Sequence, residues 1–445
     1  MLFKNHQQLI KNGHTDEQRK KRADVLEILT AAVSTVDPYH VVHSLFDDDT
    51  LCIQNNRIAL SDFTNIYAVG FGKASIGMTQ AVCDSITVHK GIAVTNDSER
   101  TVNDPVVTTI VGGHPLPTNG SLEGATAILE LAQKTTENDL LLVLVSGGGS
   151  ALLCKPRVSL NDLQQTTTLL LHSGATITEM NTIRKHLSRV KGGQLAHATN
   201  ATVVSLIISD IVGDPPEFIA SGPTCPDSTT YADAKRILNR YGLWEQVPNS
   251  VRTVIATGIE GNIPETPKPG DAAFDRVTNY IVANNKRACA AAEEKARDLG
   301  YETIVLTTSL TGEAKEVGKY LANRAKAYET HGKQTIFITS GETTVTVSGG
   351  GKGGRNQELI LGSLPELVDT DMVFASFATD GKDGMSDAAG AIADGNSLQR
   401  AKNKHLDRSV FLKENNSYEF FKEIQDALMT GATGTNVMDV QLLLK

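Results

Sequence analysis

Thr335-Ile336-Phe337-Ile338 leads through Ser340-Gly341-Glu342-Thr343-Thr344-Val345 into Gly349-Gly350-Gly351-Lys352-Gly353-Gly354-Arg355-Asn356-Gln357-Glu358, a passage that reads as strand, turn and helix. The apolar run has the composition of a buried strand, and Glu358-Leu359-Ile360-Leu361 opens a helical pattern. Glycines on both sides of Lys352 leave backbone N–H groups free to approach an anion, with the positive end of the following helix behind them. Gly351, Lys352 and Gly353 are therefore expected to bind phosphate, and Arg355 to supply a fixed charge. A plain tight turn competes with this reading, and so does the dinucleotide pattern G-x-G-x-x-G with Asp369 downstream. A Walker P-loop is excluded, because Gly353 and not Ser or Thr follows Lys352.

The same grammar recurs along the chain. An apolar run at 65–69 gives way to Gly70-Phe71-Gly72-Lys73-Ala74 and a helical pattern at 75–86. Strands at 91–95 and 107–112 follow, the second leading to Gly113-His114-Pro115, where His114 is either a general base or a local hydrogen-bonding residue. The almost wholly apolar run 139–145 fits a strand covered on both faces of a parallel sheet. It ends in Ser146-Gly147-Gly148-Gly149-Ser150, where two hydroxyls flank three glycines at the carboxyl end of a buried strand, so this turn is read as an anion cradle.

Further on, a helical pattern over 178–198 sets Asn181, Arg184, Ser188 and Lys191 on one face, a stripe that is ordinarily solvated. The strand at 203–208 delivers Ser209-Asp210 and Gly213-Asp214-Pro215; Asp210 and Asp214 suit Mg²⁺ binding or base catalysis, with turn-forming carboxylates as the alternative. Asp380 and Asp383, in Thr379-Asp380-Gly381-Lys382-Asp383-Gly384, could also hold metal, although the loop lacks the EF-hand ligand series.

A length of 445 residues predicts two domains, and the proline-rich stretch 263–270 marks the expected boundary. The net charge of −9, with acids and bases interspersed, argues against nucleic acid or an anionic membrane as the main partner. Five scattered cysteines without a C-x-x-C pair, no secretory h-region and no apolar run of membrane-spanning length point to the cytoplasm. An amphipathic helix is expected over 16–36, its basic face from Arg19 to Arg22 being solvated.

Strand and helix alternate throughout, which predicts an α/β fold with largely parallel sheets. Glycine-rich turns in both halves suggest nucleotide on one wall of a cleft and its phosphoryl acceptor on the other, since phosphoryl transfer depends mostly on positioning and charge neutralisation.

Taken together, Gly70-Phe71-Gly72-Lys73-Ala74, Ser146 to Ala151, Met180-Asn181 with Arg184 to Ser188 and Lys191-Gly192-Gly193, Ser209-Asp210, Gly213-Asp214-Pro215, Ser221-Gly222-Pro223-Thr224, the 349–354 loop, Thr379-Asp380-Gly381 and Thr433-Gly434-Thr435-Asn436 resemble the MOFRL-type, or class II, glycerate kinases. The resemblance implies a glycerate 2-kinase that uses ATP and Mg²⁺ to convert D-glycerate into 2-phosphoglycerate. It implies an N-terminal Rossmann-like three-layer α/β/α domain at 1–262 and a smaller C-terminal α/β domain with a mixed sheet at 275–445, with the active site in the cleft. It carries the cleft lysine and arginine onto Lys73 and Arg355. On this reading Lys73, Arg355 and Asp210 are catalytic, and Ser146, Gly147, Gly148, Gly149, Ser150, Asn181 and Lys191 join the 351–353 turn in holding phosphates. Asp210, Asp214 and Asp380 are the metal candidates. The expected partners are small molecules, without nucleic acid or membrane, and a homo-oligomer is left open. A hydroxypyruvate reductase and a non-catalytic glycerate or nucleotide sensor are the alternatives.

Overall fold

The computed structural model describes residues 1–329 and 332–445, which form two compact units: Pro38–Val282, and Met1–Asp37 together with Ala283–Lys445. The first unit opens with a small antiparallel sheet of β1 (Phe46–Asp47), β2 (Thr50–Ile53) and β3 (Asn56–Ala59). Its main sheet contains β4 (Ile66–Phe71), β5 (Lys90–Thr95), β6 (Val107–Val111), β7 (Leu140–Val145), β8 (Thr202–Ile208) and β9 (Val277–Ala283). The spatial order is β6-β5-β4-β7-β8-β9, and the pairings from β6 across to β8 are all parallel.

Every residue of β7 is buried, as its uninterrupted apolar run requires. Leu141, Val143 and Val145 pack with Tyr67, Val69 and Phe71 against Ala125, Ile128 and Leu131 of the helix Asn119–Ala132. On the opposite face Ala93 meets Ile76 of the helix Ser75–Ser85. Alternate residues of each strand thus feed two helical layers, giving the three-layer α/β/α arrangement. The chain proceeds outward from β4 in one direction and from β7 in the other. That reversal is a topological switch point, and it opens a crevice at the carboxyl ends of β4 and β7.

The second unit has a mixed sheet of β10 (Glu302–Leu310), β11 (Thr335–Gly341), β12 (Val373–Ala378), β13 (Gly390–Asp394), β14 (Ala427–Leu428) and β15 (Asp439–Leu444), in the order β10-β11-β15-β12-β13-β14. Within this sheet, among the described residues, only β10 and β11 pair in parallel. The helix Arg355–Leu367 lays Leu359, Ile360 and Leu364 into a core with Phe337, Phe374 and Leu443.

Three expectations are corrected. The division at 1–262 and 275–445 fails because residues 1–37 belong with the second unit, and the first unit continues to Val282. The cause is electrostatic as well as apolar. Arg22 is fully buried, with Nε 2.6 Å from Asp394 and NH1 2.9 Å from Asp426, so the face read as solvated carries a guanidinium locked into the second unit. The 263–270 stretch is not a boundary either. Thr266 is buried and donates to Asp227, while the buried Pro267 accepts the Asp227 N–H through its carbonyl, so the middle of the stretch is tied into the first unit. Finally, the helix expected over 178–198 ends at His186 with Leu187 as its cap; Gly192 and Gly193 take positive φ (57° and 80°) further on, and only Gln194–His197 is again helical.

Candidate active site

The crevice at the switch point is built by two interlocked turns. Gly72 follows β4 with φ 127°, and a Cβ there would lie 2.2 Å from Ser146 Oγ. Such closeness lets the N–H of Ala74 donate to Ser146 Oγ (3.1 Å) and the N–H of Lys73 to the Gly147 carbonyl (2.8 Å). The Ser146 hydroxyl, buried, thereby braces the two turns. Gly149 is equally enclosed: its Cβ would stand 2.7 Å from Ala220 Cβ. Gly147 and Gly148 differ, since their N–H groups donate to no protein acceptor among the described residues. Gly148, at φ 82°, sits beside the Lys73 side chain and the His114 ring. Two unclaimed N–H groups next to a lysine, at the carboxyl end of a parallel sheet, form an anion-binding nest.

Behind the nest runs a polar chain. Ser150 Oγ and Ser221 Oγ lie 2.9 Å apart, and Ser221 donates to Asn181 Oδ1 at 3.2 Å. Ala220 and Ser221 both occupy the left-handed region (φ 51° and 64°), backbone strain of the kind concentrated at functional sites. Asn181 is buried and meets Ser150 through Ser221. Lys191 is likewise buried, its Nζ donating to the carbonyls of Ser150 (2.7 Å) and Leu153 (2.9 Å). Burial is the chief cause that lowers its pKa to about 8, with Arg184 pushing in the same direction and the Cys154 thiol opposing. The turn after β8, the strand next to β7, carries Asp210 and Asp214 beyond the same carboxyl edge, and Asp214 is left-handed (φ 59°).

The 349–354 loop of the second unit behaves otherwise. The N–H groups of Gly349 and Lys352 donate to the side chains of Asn415 and Asn416, and that of Gly351 to the Glu414 carbonyl. The start of the helix Arg355–Leu367 is filled by a carboxylate of the chain itself: Asp383 accepts the N–H of Asn356 (3.1 Å) and of Gln357 (2.8 Å). Phosphate or pyrophosphate at that helix end would meet this acid. The dinucleotide reading, on which the reductase rested, loses its footing there. Lys352 itself remains exposed. Asp383 is buried, and that desolvation, the largest influence, lifts its pKa to about 6. Arg355 is clamped, Nε to Asp439 at 2.5 Å, NH2 to Asp439 at 2.9 Å and NH1 to Glu342 at 2.7 Å. Sequence patterns do not announce these partners, which lie 84 residues apart for Arg355 and Asp439 and 27 or 26 for Asp383 and the helix start.

Asp380, at the end of β12, accepts the Lys382 N–H in a local turn. Among the described residues no group of three or more His, Cys, Asp or Glu side chains stands ready to hold a metal. The carboxylate oxygens of Asp210 and Asp214 nevertheless suit Mg²⁺, which is usually shared between one or two carboxylates and substrate phosphates.

A Rossmann-ordered sheet with a backbone anion nest at its switch point defines an α/β protein that binds small anionic ligands at a strand-end crevice. Residues 24–256 match the family model described as a domain of unknown function (DUF4147), and residues 335–439 match the MOFRL family. A glycerate 2-kinase of Pyrococcus horikoshii is 40% identical over 433 residues, covering 94% of this chain and 96% of that protein. The D-glycerate 2-kinase of Thermotoga maritima is 38% identical over 387 residues, covering 84% and 89%. The crystal structure of a Thermotoga maritima glycerate kinase matches with a TM-score of 0.82 at 35% identity, covering 95% of this chain and 98% of that one. The chain belongs to the MOFRL-type glycerate 2-kinase family.

Proposed function

We infer that this protein transfers the γ-phosphoryl group of ATP to the 2-hydroxyl of D-glycerate, giving 2-phosphoglycerate and ADP. The observation that carries the reading is the pair of unclaimed N–H groups at Gly147 and Gly148 beside Lys73, a site shaped for phosphate oxygens. In the transfer the 2-oxygen forms a bond to the γ-phosphorus while the bond to the bridging oxygen breaks, and ADP departs with that electron pair. The nest and Lys73 offset negative charge on the phosphoryl oxygens, and Asp210 orients the acceptor hydroxyl and takes its proton. Arg355, held in a fixed pose by Asp439 and Glu342, is assigned to the same charge stabilisation. Mg²⁺, when bound, would neutralise phosphate charge, with Asp210 and Asp214, or Asp380, as its protein ligands. Five unpaired cysteines accord with a reducing, cytoplasmic setting.

Phosphorus NMR of the protein with Mg²⁺, ATP and D-glycerate tests the assignment. A 2-phosphoglycerate resonance is expected. A 3-phosphoglycerate resonance would overturn the regiochemistry, and absence of transfer would overturn the kinase reading.

A further inference from the structure

Beside the nest lies a cavity of about 190 Å³ whose wall includes His114, Ser150, Lys155, Arg184, Ser188 and Lys191. Its charge is one-sided: Lys155, Arg184 and Lys191 line it, and among the described residues no aspartate or glutamate does. Arg184 is half-buried on the last turn of the helix Ile177–His186, and among the described residues no hydrogen bond or ion pair within the protein reaches its guanidinium. Burial weakens its hold on the proton, but an arginine stays charged. A desolvated guanidinium without a counter-charge is costly, and it persists where an anionic ligand completes it.

The walls are rigid. Residues 155–157 bridge residues 187–189 through Arg157 N–H to the Leu187 carbonyl and Arg189 N–H to the Lys155 carbonyl, both 2.8 Å. Gln194 ties the turn by donating to the carbonyls of Ser188 and Lys191. The ligand pose is therefore preorganised. Size selects the occupant, since about 190 Å³ is below the roughly 300–1,000 Å³ of pockets that enclose drug-sized ligands. A three-carbon acid fits such a space.

We propose that this pocket is the acceptor subsite, with Arg184 recognising the carboxylate of the hydroxy acid and thereby setting specificity against neutral polyols. The proposal rests on the kinase reading above. Ser150, shared by the nest and the pocket wall, joins the phosphate and acceptor positions.

The test compares wild type, Arg184→Gln and Arg184→Lys by steady-state kinetics with D-glycerate and ATP varied separately, and by calorimetric titration with D-glycerate alone. Loss of a charge-assisted pair raises the glycerate KM and Kd of Arg184→Gln about 10- to 100-fold, with the ATP KM within about twofold and partial recovery in Arg184→Lys. Discrimination between D-glycerate and glycerol falls in parallel. A rise confined to the ATP KM would mean that the arginine serves nucleotide phosphate, and unchanged constants would mean that it serves neither; each overturns the proposal. If wild type transfers no phosphoryl group yet binds D-glycerate in an Arg184-dependent way, the kinase reading fails while the subsite stands. Absence of glycerate binding by wild type would overturn the subsite.

Discussion

Arg355 and Asp439 meet in a two-pronged pair, Nε to Oδ2 at 2.5 Å and NH2 to Oδ1 at 2.9 Å, which joins the start of one helix to the start of β15. Asp439 is buried, so removal of the guanidinium strands a carboxylate in the sheet. Arg355→Met is expected to lower stability by about 3–5 kcal/mol, as broken buried pairs do, and to reduce turnover about 10²- to 10³-fold. Arg355→Lys should recover part of the stability but little of the turnover, because an ammonium cannot reproduce the fork. Urea unfolding and kcat check the two arms.

Asp383 occupies the helix start that a phosphate would otherwise take. Its pKa, raised to about 6 chiefly by burial, lies above the unfolded value, so its neutral form contributes stability that is full below about pH 4 and lost as pH rises through about 6. Asp383→Asn is neutral throughout. The stability difference between wild type and this variant should therefore shrink by about 2–3 kcal/mol from pH 4 to pH 7. A difference that does not move with pH in urea titrations would contradict the assignment.

For Lys191 the sign reverses. Its pKa is lowered to about 8 mainly by burial, below the unfolded lysine value, so the unfolded chain binds the extra proton between about pH 8 and 10.5 and stability rises across that window. Lys191→Met should remove that slope. Glycerate affinity should move the other way in wild type, weakening above about pH 8 as the pocket loses a cation. The pH dependence of the thermal midpoint and of glycerate Kd provides the comparison.

Gly72 permits the contact between the β4 and β7 turns. Gly72→Ala places a methyl 2.2 Å from Ser146 Oγ and 2.5 Å from the Ser146 carbonyl oxygen, with φ already at 127°. Overpacking of this kind costs about 1–3 kcal/mol, and by separating Lys73 from the nest it should depress kcat more than the thermal midpoint. Paired calorimetry and initial rates measure that ratio.

Arg22 is enclosed with Asp394, Asp426 and Arg400 in a buried charge cluster. Arg22→Ala leaves two acids facing one arginine and is expected to cost about 3–5 kcal/mol. Thermal denaturation followed by circular dichroism would show it.

Local order along the chain was enough to establish the α/β class, the strands that became β4 to β8 and β11, and the turn at Ser146 to Ser150, because apolar runs and glycine junctions act through neighbours in sequence. The β7 run read as covered on both faces is buried at every position, and the lysine after β4 stands beside the nest. Tertiary structure alone decided where the donors of each glycine turn go. The 146–150 turn faces a gap at the switch point, whereas the richer 349–354 turn spends half its donors on residues 414–416 and its helix end on Asp383. It also decided that the first 37 residues join the far end of the chain, through Arg22, and that Arg184 and Lys191 share a pocket although the helix between them breaks. Such pairings are set by burial and charge across hundreds of residues, and composition at either partner carries no record of the other.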